Sequence, residues 1–421
     1  MSTALDISST HAADVAGEFV DFAGERYYVI RNVDKMAPFF ISVISNVDHW
    51  LFVSSSGGLT AGRVSPETAL FPYVTVDKIH ESLPHTGPKT MLRVAIDGKN
   101  SVWEPFNREH DGRFAISRHL YKNVLGNKLC FEEVNHDLQL EFRYTWATSE
   151  AHGFVRQCEL HNSGSNEVIV DLIDGLLNIL PAGTPRIAQS NSSNLVDAYK
   201  WTELDERRGM ALYTLYSGIT DRAEPCESLR ANVVYCLGLN APRVLISNKQ
   251  LDDFRRGGTP HQEVHKRGIR GSYFVNHTLN LAARATQRWQ IVADIERSQS
   301  QVIALAQELD NPANLAESIH VSVAAGTDGL ARIMARCDGF QATSEENVSV
   351  HHYANVLFNV LRGGYFYDQY NVPSRDFAKT IECFNRNVYT ANHDFLRSLP
   401  PELPYTELLA RIEAQGDMQL A

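Results

Sequence analysis

The sequence is poor in the features that mark the commonest biochemical classes. Its six cysteines (Cys130, Cys158, Cys226, Cys236, Cys337 and Cys383) include no Cys-x-x-Cys pair, which argues against both a zinc ribbon and a disulfide framework. They read as reduced thiols. Basic residues are in the minority, 39 Lys and Arg against 50 Asp and Glu with a formal charge of -11, so nucleic acid is not an expected partner. The longest apolar stretch, Val168 to Leu180, is interrupted by Asp171 and Asp174 and falls short of the ~20 residues of a bilayer span, so no membrane partner is expected either. Met1 to Gly17 has neither a basic n-region nor an apolar h-region and reads as a flexible leader of a cytoplasmic protein. A dinucleotide-type Gly-x-Gly-x-x-Gly, a phosphate-loop Gly-Lys-Ser/Thr and a Gly-x-Ser-x-Gly elbow are absent, so no cofactor is implied. The imidazoles of the adjacent His351-His352 diverge and do not readily share one ion, so no metal is expected.

What is present is a chain of 421 residues, 43% apolar, long enough for two or three domains. From Glu18 to Ile295 the dominant hydrophobic period is two. Leu138, Leu140, Phe142, Tyr144 and Trp146 alternate with Gln139, Glu141, Arg143 and Thr145, the pattern of a strand packed on one face. Ala23-Gly24 and Asp97-Gly98 separate strand-like runs and predict hairpins, because glycine tolerates the positive φ of tight turns. Further strands are expected at 39–45, 154–161, 168–173, 272–281 and 288–295, with Asp171 and Asp174 ending one of them. Many strands without alternating helices predict a mainly β protein built on a large antiparallel β-sandwich, residues 18–295.

After Ile295 the period becomes helical. Helices are expected at 299–309, at a three-turn segment carrying Leu330, Ile333, Met334 and Cys337 before Gly339, at 377–396 and at 405–415. Residues 348–361 read as a buried element that period alone leaves between helix and strand. These helices form too thin a layer to stand alone, so they need the sheet or self-association into a homo-oligomer.

Two segments carry candidate site residues. Asn46 to Tyr73 reads as a long loop in which Trp50 and Arg63 accompany Ser54-Ser55-Ser56-Gly57-Gly58, small and hydroxylated groups beside aromatics of the kind an open sugar-contacting loop uses. Arg362-Gly363-Gly364-Tyr365-Phe366-Tyr367-Asp368 sets a guanidinium and a carboxylate about a Gly-Gly bend, suited to hydrogen-bonding sugar hydroxyls while a pyranose face stacks on a ring. Arg362, Gly363, Gly364, Tyr365, Asp368, Trp50 and Arg63 are therefore the substrate-binding candidates, and no catalytic residue is assigned.

Four stretches carry a resemblance: Ile44-Ser45-Asn46 through Ser54, Phe71-Pro72-Tyr73 with Asp77-Lys78-Ile79, Asp174-Gly175-Leu176 through Pro181, and Asn355 through Gly364. In them, and in its order of elements, the chain resembles the N-terminal part of cellobiose phosphorylase-like glycoside phosphorylases and their larger relatives. The resemblance implies a mutarotase-like sandwich, a helical linker over 296–345 and, over 346–421, the first helices of an (α/α) barrel. It also implies an oligosaccharide or glucan partner and inorganic phosphate as co-substrate of the parent enzyme. The general acid, an Asp in that family, is expected beyond residue 421, so the chain reads as a non-catalytic portion. Two other readings stay open: a self-contained carbohydrate-binding or assembly module, and a mutarotase-like epimerase for which His119, His136 and His161 would be the first suspects.

If Arg362 and Asp368 hold sugar hydroxyls, replacing either by Ala in the full-length enzyme should lower kcat/KM by about tenfold to a hundredfold, since a charge-assisted hydrogen bond contributes roughly 1.5–3 kcal/mol. Melting temperature should barely move. A fall in melting temperature with unchanged kinetics would instead make them braces of the bend.

Overall fold

The computed structural model of the chain describes residues 14–96, 99–191, 193–217, 229–361 and 370–420. The chain divides into two compact units, Met1–Thr327 and Asp328–Ala421.

The first unit is built on antiparallel sheets, so the chain is mainly β, as its period-two patterning implies. Eleven strands form one large sheet, which runs from the hairpin Ala16–Phe22/Glu25–Arg31 through Ile116–Asn123, Leu129–Asn135, Leu140–Ser149 and Gly153–Asn162 to Thr286–Ser298 and beyond. Five strands form the facing sheet, with Val168–Ile179 at its centre between Gly271–Leu281 and Gly87–Ile96. A third sheet of three strands is made by Phe40–Val43, His49–Ser54 and Leu59–Arg63. Leu138, Leu140, Phe142, Tyr144 and Trp146 are all buried in the common core, so the alternation places one complete face inside. The Ala23-Gly24 turn has positive φ at both residues, 50° and 80°, the geometry of a two-residue hairpin turn. Asp97-Gly98 lies outside the described residues, and the strands on either side of it pair antiparallel up to Ile96 and Lys99.

Several expectations are corrected. Asn46 to Tyr73 is not one long loop: it holds the strands His49–Ser54 and Leu59–Arg63, because Leu51, Val53, Leu59 and Ala61 point into the core, with Ser54 to Gly58 as the turn between them. Asp171 and Asp174 do not end a strand; they lie mid-strand, because each meets an arginine. Residues 346–361 are helical but not buried: Val348 and Phe358 are more than half exposed, and only Ser349 and Leu357 face inward. The three-turn helix before Gly339 is the end of a 25-residue helix, Pro312–Arg336. The expected helix 377–396 is three short ones, Ser374–Phe384, Arg386–Ala391 and His393–Ser398, broken where Asn385 leaves helical geometry at φ -152° and ψ 89°.

The outer face of the large sheet is covered by helix. Gln299–Leu309 begins at a capping box formed by Ser298 and Gln301 and packs Leu305 and Leu309 against Val155, Val233 and Val292. Leu315, Ile319 and Val323 of the following helix continue that stripe. The second unit has its own small core of Val388, Leu396, Leu399, Leu403, Leu408 and Ile412, with a two-stranded ladder of Asn371–Pro373 and Glu402–Pro404. Its last helix, Tyr405–Gln415, stops at Gly416, whose φ of 73° suits glycine. No helix among the described residues is long and apolar enough to cross a membrane.

Between the two facing sheets lies a buried ion pair. Arg156, inward on Gly153–Asn162, donates from Nη1 to both carboxylate oxygens of Asp174 at 2.9 and 2.8 Å, and both side chains are fully buried. Asp174 also accepts from Thr90 Oγ1 at 2.6 Å and Trp289 Nε1 at 2.7 Å. Removing one member of such a pair leaves an uncompensated charge in the core. Asp174→Ala should therefore lower the unfolding free energy by about 3–5 kcal/mol in urea titration, and Asp171→Ala, whose Arg93 pair is partly solvated, by about 1 kcal/mol or less. Equal losses at the two positions would deny the clasp its role.

Candidate functional site

A cavity of about 430 Å3 opens beside this pair, with Arg156, Tyr144 and Thr90 among its walls. The Leu140–Ser149 strand brings Tyr144 to it, Gly87–Ile96 brings Lys89 and Thr90, and the segment after Lys99–Trp103 brings Glu104, Phe106 and Arg108. His80 comes from the turn after the short helix Val76–Ile79, and Arg255 from the helix Leu251–Arg255. Proline at 38, 84, 88 and 105 stiffens the rim, since each ring fixes φ.

The charges are largely matched within the wall. Glu104 is 1% exposed and accepts from Arg255 Nε at 2.5 Å, Arg255 Nη2 at 3.1 Å, Asn107 Nδ2 at 3.1 Å and Lys89 Nζ at 3.3 Å. Burial works to raise its pKa, but the Arg255 hydrogen bond and the Lys89 and Arg255 charges outweigh it and hold the carboxyl at about 2. It is an ionised acceptor, unsuited to donating a proton near neutrality. Four cationic side chains (Lys89, Arg108, Arg156, Arg255) line the cavity with three carboxylates (Glu81, Glu104, Glu109); Lys89 and Arg255 pair with Glu104, Arg156 pairs with Asp174 behind the wall, and Arg108 donates to the Asp34 carbonyl.

Unused hydrogen-bonding capacity remains at Arg156 Nε, buried without a partner among the described residues, and at two neutral groups. Tyr144 is 2% exposed, and among the described residues its hydroxyl makes no hydrogen bond. Burial pushes that phenol above its ordinary range, so it stays protonated. His80 Nδ1 meets Ser54 Oγ at 2.7 Å, which leaves Nε2 without a hydrogen-bond partner among the described residues. The rings of Phe106 and Tyr144 meet edge to face at 5.3 Å and give the cavity an apolar wall.

Of the candidates read from sequence, Trp50 and Arg63 lie away from this cavity. Arg362, Gly363, Gly364, Tyr365 and Asp368 are outside the described residues. Trp50 sits in the three-stranded sheet, half-buried over Gly62, with Nε1 donating to Ser65 O at 3.2 Å. Arg63 is held by Asp48 at 2.8 Å and Asp294 at 3.4 Å. His119, His136 and His161 are engaged separately with the Asn32 amide, Ser117 and Thr286, and none lines the cavity. Sequence reasoning missed Lys89, Glu104, Tyr144, Arg156 and Arg255. The available signal was parity, since Arg156 and Asp174 occupy inward positions in otherwise apolar rows.

Residues 366–421 match the family model described as glycoside hydrolase family 149 insertion domain 1, so the chain has a relative among carbohydrate-active enzymes of the glycoside hydrolase and phosphorylase type. No curated protein matches the chain. Among solved structures, a bacterial glucoamylase complexed with acarbose is similar at 10% identity and a TM-score of 0.43, covering 87% of this chain and 52% of that one. A putative kojibiose phosphorylase from human microbiome is similar at 8% identity and 0.32, covering 78% and 35%. A putative aldose 1-epimerase from Escherichia coli K12 is similar at 9% identity and 0.31, covering 62% and 99%. The chain thus spans about half of the glucoamylase and about a third of the phosphorylase.

The clamp on Glu104 has a pH signature. Its folded pKa lies below the ordinary 4.5, so its stabilising contribution is complete above that value and is lost as pH falls toward about 2. Glu104→Gln should cost about 1–3 kcal/mol at pH 7 and flatten the acid limb of the stability profile between about pH 4.5 and 2. An unchanged acid limb would remove Glu104 from the clamp.

Proposed function

We propose that this chain is the N-terminal, non-catalytic portion of a cellobiose phosphorylase-like glycoside phosphorylase, or of a related hydrolase, acting on a β-glucan or oligosaccharide. The general acid is carried by a barrel outside the chain, and inorganic phosphate serves the parent enzyme as co-substrate. The observation that carries this reading is the match of residues 366–421 to an insertion domain of a glycoside hydrolase family. The state of Glu104 supports it: inverting cleavage needs a carboxylic acid that stays protonated near the scissile bond, and this cavity carboxylate is held ionised.

The purified chain, incubated with β-glucan oligosaccharides with and without phosphate, is expected to release neither glucose 1-phosphate nor glucose above background. Sustained release that disappears on substitution of a carboxylate within the chain would overturn the non-catalytic assignment.

A further inference from the structure

We infer that the cavity beside the Arg156–Asp174 pair is a binding site for one neutral pyranose ring, held without chemistry. The inference rests on the reading of the chain as part of a saccharide-handling enzyme and assigns a place in it where a sugar sits. Its volume of about 430 Å3 falls within the ~300–1,000 Å3 of small-molecule sites. The buried carboxylates here are already paired, Glu104 with Lys89 and Arg255, and Asp174 with Arg156, so an ion would compete with those pairs, whereas a polyol leaves them intact and presents donors and acceptors together.

The groups with capacity to spare suit such a ligand. The Tyr144 hydroxyl, buried and without a partner among the described residues, both donates and accepts, as a sugar hydroxyl does. His80 presents Nε2 while Ser54 holds Nδ1. Lys89 spends one hydrogen bond on Glu104 at 3.3 Å, and an ammonium has three to give. Phe106 supplies a ring against which the C–H face of a pyranose packs. No proton transfer is assigned, because the cavity's buried carboxylate is already paired with two cations.

The test is a calorimetric titration of the whole chain with D-glucose, for the wild type and for Tyr144→Phe and Lys89→Met. Tyr144→Phe keeps the ring and the packing, and Lys89 is a quarter exposed, so a folding failure in one still leaves the other informative. Saturable glucose binding, weakened about five- to tenfold in each variant, with the melting temperature unchanged in Tyr144→Phe and lowered in Lys89→Met by loss of its Glu104 pair, is the expected result. Absence of binding up to tens of millimolar glucose, or equal affinity in wild type and both variants, would overturn the site. Displacement of glucose by inorganic phosphate would overturn the neutral-ligand assignment, and accelerated mutarotation of α-D-glucose in polarimetry would overturn the role without chemistry. The two proposals fail separately. A chain that binds glucose and also turns over glucan keeps the site and loses the non-catalytic reading, whereas an inert chain that binds no glucose loses only the site.

Discussion

Arg156 and Asp174 are buried completely, and each reaches the other from a different sheet. Two charges withdrawn from water this far are tolerated when they meet in good geometry and most of their remaining hydrogen-bonding capacity is filled. Here Thr90 and Trp289 complete the carboxylate, and Thr90 Oγ1 also accepts from Arg156 Nη2 at 3.3 Å, while Arg156 Nε has no partner among the described residues. The register needed for this is strict: Thr90 must stand directly opposite Asp174, and Trp289 opposite Cys158. A slip of one residue in any of these strands would turn a charge outward on one side and strand its partner inside. The pair therefore ties the alignment of one sheet to that of the other in a way that apolar packing, which is indifferent to small displacements, does not.

The cavity follows from the same constraint. A guanidinium fixed in the core leaves the adjacent wall polar, and Tyr144, over whose ring Arg156 sits at 4.5 Å, makes no hydroxyl hydrogen bond among the described residues. Around this floor the residues from the edge of the five-stranded sheet and from the helix Leu251–Arg255 neutralise one another through Glu104. The result is a space whose buried carboxylates are paired and in which Tyr144 and His80 keep hydrogen-bonding capacity to spare. Such a space is suited to holding an uncharged hydroxylated molecule rather than to transferring a proton.

The other polar clusters of the first unit behave differently. Arg143, on the outer face of the large sheet, is surrounded by Glu132, which is buried, and by Glu141 and Glu159, which like Arg143 itself are partly solvated. Ion pairs in that setting contribute little each. Within the second unit, by contrast, stability comes from a small aliphatic core and from short helices delimited by Asn385, Asn392 and Gly416. Phe384 there is 88% exposed, so the amphipathic pattern of its helix does not translate into burial at every apolar position.

The sequence by itself determined that the chain is mainly β with helices toward its C-terminal end, because period-two and period-3.6 patterns are local properties of alternating and spiralling backbones. It determined the inward row from Leu138 to Trp146, the Ala23-Gly24 turn and the helices 299–309 and 405–415, each marked by parity, a turn residue or a cap. It did not determine the strands His49–Ser54 and Leu59–Arg63 within Asn46 to Tyr73, because serine and glycine at the turn masked the short apolar alternation on either side. Nor could it place the cavity. Lys89, Glu104, Tyr144, Arg156 and Arg255 are spread over 167 positions and carry no motif; only strand pairing and sheet stacking bring them to one wall. An aspartate inside an apolar run looks like the end of a strand when its partner is unknown, and it becomes the centre of one once Arg156 arrives from the opposite sheet. The difference is physical: periodicity is decided by neighbours along the chain, whereas whether a charge can be buried is decided by what lies across from it.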